Sequence, residues 1–336
     1  MAQNSTAKLP TWRPAQPTPW QAFRRDPAVV VARWLYRMRA PHHRLSPPLR
    51  SASPATKPIT IVCISDTHNA QPAVPDGDVL LHAGDLTDRG SFAELQAQLT
   101  WLQGLPHRHK VVIAGNHDLL LDPDFAGRFP DRVPDNSGGA GTARGDLDWG
   151  DLVYLNDSSV DLTIASPSSS SSSSPSVDRT LRVYGAPWTE NCGTFAFQYP
   201  PVRPRVWADR IPAGTDIVLV HGPPKGHCDL GGKGCPQLLR EIRRARPALV
   251  VCGHIHAAHG REDLVYDGAE TAYDAVVLGD RGLLGVAALA WWLLWSKVRV
   301  SSWLRRPLAT GTRLVNAAVM AGGPEPKLRD AIVVQL

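Results

Sequence analysis

Between residues 59 and 118, three short apolar runs each end in side chains of a type that can hold a divalent metal. ITIVCISDTHN brings Asp66 and His68, DVLLHAGDLTDRG brings Asp85, and KVVIAGNHD brings Asn116, His117 and Asp118. Further along, DIVLVHGPP carries His221, and ALVVCGHIH carries His254 and His256. Asp66, His68, Asp85, Asn116, His221, His254 and His256 offer oxygen and imidazole donors without thiolate, a set suited to Mn, Fe, Zn or Mg. These seven donors exceed the needs of one ion. Two ions sharing a bridging carboxylate would use them all, and a pair ~3.5–4 Å apart is the arrangement that clamps the attacking and leaving oxygens of a phosphoryl displacement. Taken singly, Asp-x-His or Gly-Asn-His-Asp is equally readable as turn chemistry, with Asp and Asn bonding local backbone. Five such sites, each behind an apolar run, argue for one shared centre.

The elements that must position these residues are short. Runs of four to six apolar residues bounded by Gly, Asp and Asn have the pattern of strands buried on both faces. Strands are predicted over 59–64, 79–82, 110–114, 152–155, from 181 onward, and over 216–221 and 248–252. Each places its polar residues at the C-terminal end, the edge at which open α/β sheets bind ligands. SFAELQAQLTWLQGL spaces Phe92, Leu95, Leu99 and Leu102 for a helix that Ser91 can cap. PQLLREIRRARP predicts a second helix, and GTRLVNAAVM and DAIVVQL predict two closing strands. Residues 119–150 read as irregular surface. The serine run 166–176 has no side chain able to form a core, which predicts a disordered loop at a hairpin tip.

At 336 residues, 43% of them hydrophobic, the chain can bury one large core or two modest ones. Residues 1–50 hold nine Lys/Arg and one acid, a balance of +8 within a whole-chain charge of +5, so the remainder carries −3. That body does not read as a nucleic-acid surface, which disfavours a nuclease. The five cysteines are odd in number and lack close pairing, so neither a disulfide framework nor a cysteine zinc site is indicated. A reducing, intracellular and cytoplasmic setting is expected, and no secretory h-region is seen at the N-terminus.

Two segments stand apart from the strand pattern. Residues 1–57 form a basic, Pro/Arg-rich extension with one amphipathic helix over 27–39, where Val30, Val31, Trp34, Leu35 and Met38 fall at helical spacing behind Asp26 and Pro27. An apolar helical insertion occupies about 280–306, and its uninterrupted run, 283–295, extends about 20 Å, short of the ~30 Å hydrocarbon core. It reads as a buried helix, as an interfacial one with Trp291, Trp292 and Trp295 at headgroup level, or as a partner contact. Both segments are basic and Trp-rich, so 27–39 and 283–306 are expected to act together, with peripheral membrane contact one outcome. The oligomeric state is left open.

SDTH, GDLTDRG, GNHD, VHGPP and CGHIH, in that order, resemble the five signature blocks of the calcineurin-like metallophosphoesterases. HGPPKGHCD further resembles the small metallophosphoesterase-domain subfamily of animal brain and fungi. The resemblance covers about 58–275 and the closing strands, placing the domain at 58–336. It implies an α/β fold, a four-layered α/β/β/α sandwich of two mixed sheets. It assigns Asp66, His68 and His256 to a first metal, Asn116, His221 and His254 to a second, and Asp85 as the bridge. It casts His117 as acid or transition-state donor, Asp118 as the residue orienting that imidazole, and Arg89 as a phosphate contact. The implied activity is a di-metal phosphoesterase acting on small phosphomonoesters or phosphodiesters, cyclic nucleotides among them, by in-line attack of a metal-bridging hydroxide. The competing reading is a phosphate- or nucleotide-binding scaffold at a membrane surface. His82, His227 and His259 are given supporting roles, and Cys228 and Cys235 flank a glycine-rich rim loop.

Overall fold

The computed structural model describes residues 18–39, 45–46, 58–134, 142–165, 178–201, 205–301, 309–321 and 327–336. The serine run lies outside them, as does the end of the apolar insertion at 302–308. Two sheets form the centre. The five-stranded sheet runs Ile332–Gln335, Thr60–Ile64, Val79–His82, His109–Val112, Val153–Tyr154, parallel except for the antiparallel Ile332–Gln335 edge. The larger sheet runs Leu45–Ser46, Ala309–Asn316, Leu249–Cys252, Ile217–Val220, Arg179–Ala186, Ser158–Ile164. Gly260–Val265 also pairs, antiparallel, with Ala309–Asn316. The residues flanking the serine run form an antiparallel pair, Ser158–Ile164 with Arg179–Ala186, as the hairpin expectation requires.

The helices in chain order are α1 Pro19–Arg25, α2 Pro27–Arg37, α3 Phe92–Gln103, α4 Pro123–Arg128, α5 Pro236–Ala245, α6 Gly268–Val277 and α7 Leu283–Ser301. Side-chain alternation along the strands explains the layering. Ile61, Cys63, Leu81, Val111 and Ile113 of the first sheet face Val183, Ile217, Leu219, Val251 and Val315 of the second in one buried cluster. The opposite face of the first sheet, with Val62, Ile64, Leu80 and Val112, packs on Leu95, Leu99 and Leu102 of α3. The opposite face of the second, with Val218, Val220 and Val250, packs on Leu238 and Ile242 of α5. The result is a four-layered α/β/β/α sandwich. Ser91 caps α3 in a reciprocal box with Glu94, as its sequence indicates.

One expectation needs correction. Residues 119–150 are not all irregular surface: Leu119–Leu121 form a buried helical turn and α4 buries Phe125. Gly260–Val265 and α6 went unread. The division at residue 57 marks a change of composition that packing crosses, because α2 buries Ala28 and Ala32 against Tyr273, Val276 and Leu289, and Leu45–Ser46 extends the second sheet. Helices α2 and α7, from 27–39 and the apolar insertion, are in contact with each other. Among the described residues no helix is long and apolar enough to cross a membrane.

Candidate metal centre

Every one of the seven donors leaves the sheets at a C-terminal strand end. Asp66 and His68 follow Thr60–Ile64, Asp85 follows Val79–His82, and Asn116 follows His109–Val112; His221, His254 and His256 come from Ile217–Val220 and Leu249–Cys252 of the other sheet. The turns are tight, and Asp66, His68, Asp85 and His254 all adopt positive φ, between 44° and 64°. Non-glycine residues occupy that region at a cost, and such strain clusters where side chains must be aimed. The glycines of GNHD and CGHIH are needed for close approach: a Cβ on Gly115 would lie 2.2 Å from Asp85 Oδ1, and one on Gly253 would lie 2.1 Å from Asp66 Oδ2.

The donors form two groups, Asp66 with His68 and His256, and Asp85 with His221 and His254. Asp85 stands between them, its Oδ2 3.7 Å from His68 Nε2 and 3.3 Å from His221 Nε2. Asn116 Oδ1 is 3.2 Å from His221 Nε2, and His256 Nε2 is 3.1 Å from Asp66 Oδ1. The ring tautomers are set from behind. His221 Nδ1–H donates to the Ala83 carbonyl at 2.8 Å, and His68 Nδ1–H faces Asp88 Oδ1 at 3.2 Å. This leaves each Nε2 pointing inward, the usual arrangement behind metal-ligating histidines. His221 Nε2 then faces only acceptors, and such a set is satisfied by a cation or a proton at its centre. These residues fit two divalent ions.

The electrostatics agree. Burial alone would lower the His221 imidazole, yet Asp85 and Asp66 lift it to about 9. Burial is likewise outweighed at His68, lifted to about 9 by Asp88, Asp85 and Asp66. Burial works to raise Asp66 and Asp85, but their histidine neighbours hold both carboxyls well below the ordinary range. His254 is pushed down to about 4 by burial and by His221, so it is neutral at pH 7. Beside these anionic carboxylates, the protons kept by His68 and His221 are what a metal would displace.

His117 sits beside the first group, its ring 4.9 Å from that of His68 and 4.8 Å from that of Phe195. Asp118 does not orient it. That carboxylate is fully buried and accepts from Gly115 N, Leu86 N, Thr87 N and Thr87 Oγ1, tying the Asp85 and Asn116 loops together. Burial and nearby Asp85 raise it to about 6, against those hydrogen bonds. The imidazole is instead held by the Asp88 carbonyl, 2.8 Å from Nδ1. Asp88 thus positions two histidines and was missed; its signal was the second carboxylate of GDLTDRG. Arg89 is exposed at the rim, its backbone N–H donating to Glu94 Oε2.

The supporting histidines behave as expected. His82 accepts from Gly84 N–H through Nδ1, faces Thr67 Oγ1 through Nε2, and is pushed down to about 4 by burial. His259 Nδ1 donates to the Ala318 carbonyl at 3.0 Å. His227 bonds carboxylates through both nitrogens, Glu262 at 2.8 Å and Asp274 at 3.0 Å. His227, Glu270 and Asp274 could hold a metal by position alone. Arg243 and Arg39 already occupy the remaining carboxylate oxygens, so the cluster is a neutralised ion network. All five cysteines are free, with Cys63 and Cys252 buried as expected.

Beside His254 lies a cavity of about 300 Å³ lined by Trp188, Thr189, Glu190, Tyr199, Lys233 and Ile255, among others. Trp188 Nε1 and Thr189 Oγ1 are buried without hydrogen-bond partners.

Residues 59–258 match the family described as calcineurin-like phosphoesterase. The chain is 33% identical over 263 residues to metallophosphoesterase domain-containing protein 1 of Homo sapiens, covering 72% of this chain and 73% of that one. It is 32% identical over 238 residues to a UPF0046 protein of Caenorhabditis elegans, covering 67% and 77%. It is also 36% identical over 332 residues to a protein of Emericella nidulans named probable rhamnogalacturonate lyase C, covering 96% of this chain but spanning only 28% of that protein's length.

Proposed function

Because the chain belongs to the calcineurin-like phosphoesterase family, we propose that it hydrolyses a small phosphate ester at the centre built by Asp66, His68, Asp85, Asn116, His221, His254 and His256. The observation that carries this reading is the Asp85 carboxylate, set between two donor groups that each draw residues from both sheets. Two divalent ions held there supply positive charge to phosphoryl oxygens and lower the pKa of bound water toward neutrality.

The chain's own residues do the rest. Asp85 fixes the spacing of the two donor groups while its Oδ1 accepts from the His117 backbone N–H at 2.8 Å. His117 commits Nδ1 to the Asp88 carbonyl, which leaves Nε2 for the ester oxygen. In the imidazolium form that atom donates a proton to the departing alkoxide, work that a positioned acid contributes at about 10²–10⁴-fold. Arg89, at the rim, is the cation within the same loop that can meet a non-bridging oxygen. The cavity beside His254 takes the organic part of the ester. Its indole and tyrosine suit a flat or apolar group, while Lys233 offers a cationic donor. That size and mixture fit a mono- or diester carrying a ring, a cyclic nucleotide included.

Purified chain supplied with Mn is assayed on chromogenic mono- and diester phosphates, with Asp85→Asn as control. Hydrolysis above that control is the expected result. Equal rates across several metals, with phosphate or nucleotide still bound, would instead favour a binding scaffold.

A further inference from the structure

The helical layer beyond the second sheet has two unlike sides. Inward, Leu289 of α7 is fully buried and Val286 and Leu293 pack beside it on α2 and α6. Gly285 and Gly268 permit this approach, since a Cβ on Gly285 would lie 2.5 Å from Val276 and one on Gly268 would lie 2.2 Å from the Trp292 ring. Outward, Leu284 is 83% exposed, Trp291 62% and Trp295 44%, and the last two rings stack with centroids 6.0 Å apart. These three positions recur at the spacing of one helix face. A helix that is apolar all round needs apolar cover on every side, and here one side has none among the described residues. The neighbouring helices continue the pattern, with Trp34 of α2 60% exposed and Trp20 of α1 66% exposed.

The helices of this face are rich in basic residues, and the nearby acids Asp267 and Asp280 are paired with Arg39 and Arg240. Residues 18–39 hold five arginines and one aspartate, and 283–301 hold a lysine, an arginine and no acid. The aspartate, Asp26, is engaged as the cap of α2. Arg24, Arg25 and Arg37 are exposed, whereas Arg39 is turned inward to Asp267 and Glu270. Exposed tryptophans on helices that also carry exposed arginines, with an apolar run (283–295) too short to span and one side firmly packed, match the headgroup region of an anionic bilayer. A protein partner would need an acidic apolar groove; a lipid surface supplies both properties at once.

We propose that the outer face of α1, α2 and α7 docks on an anionic lipid surface, with the tryptophans at headgroup depth and no segment crossing. The docking is independent of whether the metal centre turns over a substrate.

The full chain is sedimented with vesicles of phosphatidylcholine alone and of phosphatidylcholine with phosphatidylserine. Binding about tenfold stronger to the anionic vesicles, weakened by salt, is expected. Brominated lipid should quench the tryptophan fluorescence. Trp291→Ser with Trp295→Ser, both on the exposed face, should weaken partitioning at least ~tenfold with the melting temperature unchanged. Arg24→Glu with Arg25→Glu should abolish the phosphatidylserine preference. Equal partitioning to both vesicle types, no binding, or unaltered binding of the tryptophan variant would overturn the proposal. So would a wild-type dimer that the tryptophan variant converts to monomer, which would make the face a contact between copies.

Discussion

At the scale of single residues, the informative feature is the way the protein commits the outward atoms of its histidines. His221 and His68 spend Nδ1 on Ala83 and Asp88, and each Nε2 is thereby left among acceptors. Asp85 is the anion both share, so Asp85→Asn should remove it from both donor groups together. Metal content measured by elemental analysis should fall, and turnover should fall by roughly 10²-fold or more; retention of both would refute the bridging assignment. Gly253→Ala tests the same geometry from the backbone side. Its Cβ would meet Ser65 Oγ at 2.0 Å and Asp66 Oδ2 at 2.1 Å, so the variant should lose metal affinity and about 1–3 kcal/mol of stability in denaturant melts. The ligand types were legible because each stands directly behind an apolar run. The partners behind them were less so, because a backbone carbonyl such as that of Ala83 behind His221 leaves no mark in sequence. Asp118 shows the same limit: its place beside His117 in the chain suggested an orienting role, whereas a one-residue step turned its carboxylate away into the loop.

Elements built from local pattern were legible, and those built from distant charge were not. The strands declare themselves by short apolar runs, and α3 by its cap and spacing. In α6, GAETAYDAVV, Glu270 and Asp274 are buried, which reads as a broken pattern until Arg39, His227 and Arg243 arrive from elsewhere in the chain. Leu119–Leu121 fit neither a period of two nor of 3.6. The α6 network makes a pH prediction. Burial would lower His227, but Glu262 and Asp274 lift it to about 10 from an ordinary 6.5. Because the folded value is the higher, its stabilising contribution is fully present below about 6.5 and is lost as pH rises through about 10. The melting-temperature gap between the wild type and His227→Gln should therefore be largest near pH 6 and shrink as pH rises toward 10; a gap that widens would refute the doubly bonded imidazolium. Deleting 1–39 should also lower the melting temperature by several degrees, since it uncovers Tyr273 and Val276 and strips Tyr36 and Arg39 from Glu270.

Across the whole molecule, the centre is assembled from two sheets that are joined by apolar packing and by hydrogen bonds from His221 Nδ1–H to the Ala83 carbonyl and from His254 N–H to Asp66, whereas the Asp118 ties stay within the loops of the first sheet. Asp66, His68, Asp85 and Asn116 belong to the first sheet, and His221, His254 and His256 to the second. The direct side-chain links between these sets, such as His221 to Asp85 at 3.3 Å and His256 to Asp66 at 3.1 Å, pair imidazoles of one sheet with carboxylates of the other. Metals held by these pairs would cross-link the sheets and would bind only when both are folded together. Ligand binding restricted to the native state adds RT ln(1 + [L]/Kd), about 2.7 kcal/mol at a hundredfold excess over Kd. Titrating Mn into chelator-treated protein should therefore raise the melting temperature continuously while leaving a single transition. Asp85→Asn should flatten that response. Two resolved transitions, with the metal shifting only one, would mean that the sheets fold independently and that one of them holds its ion alone.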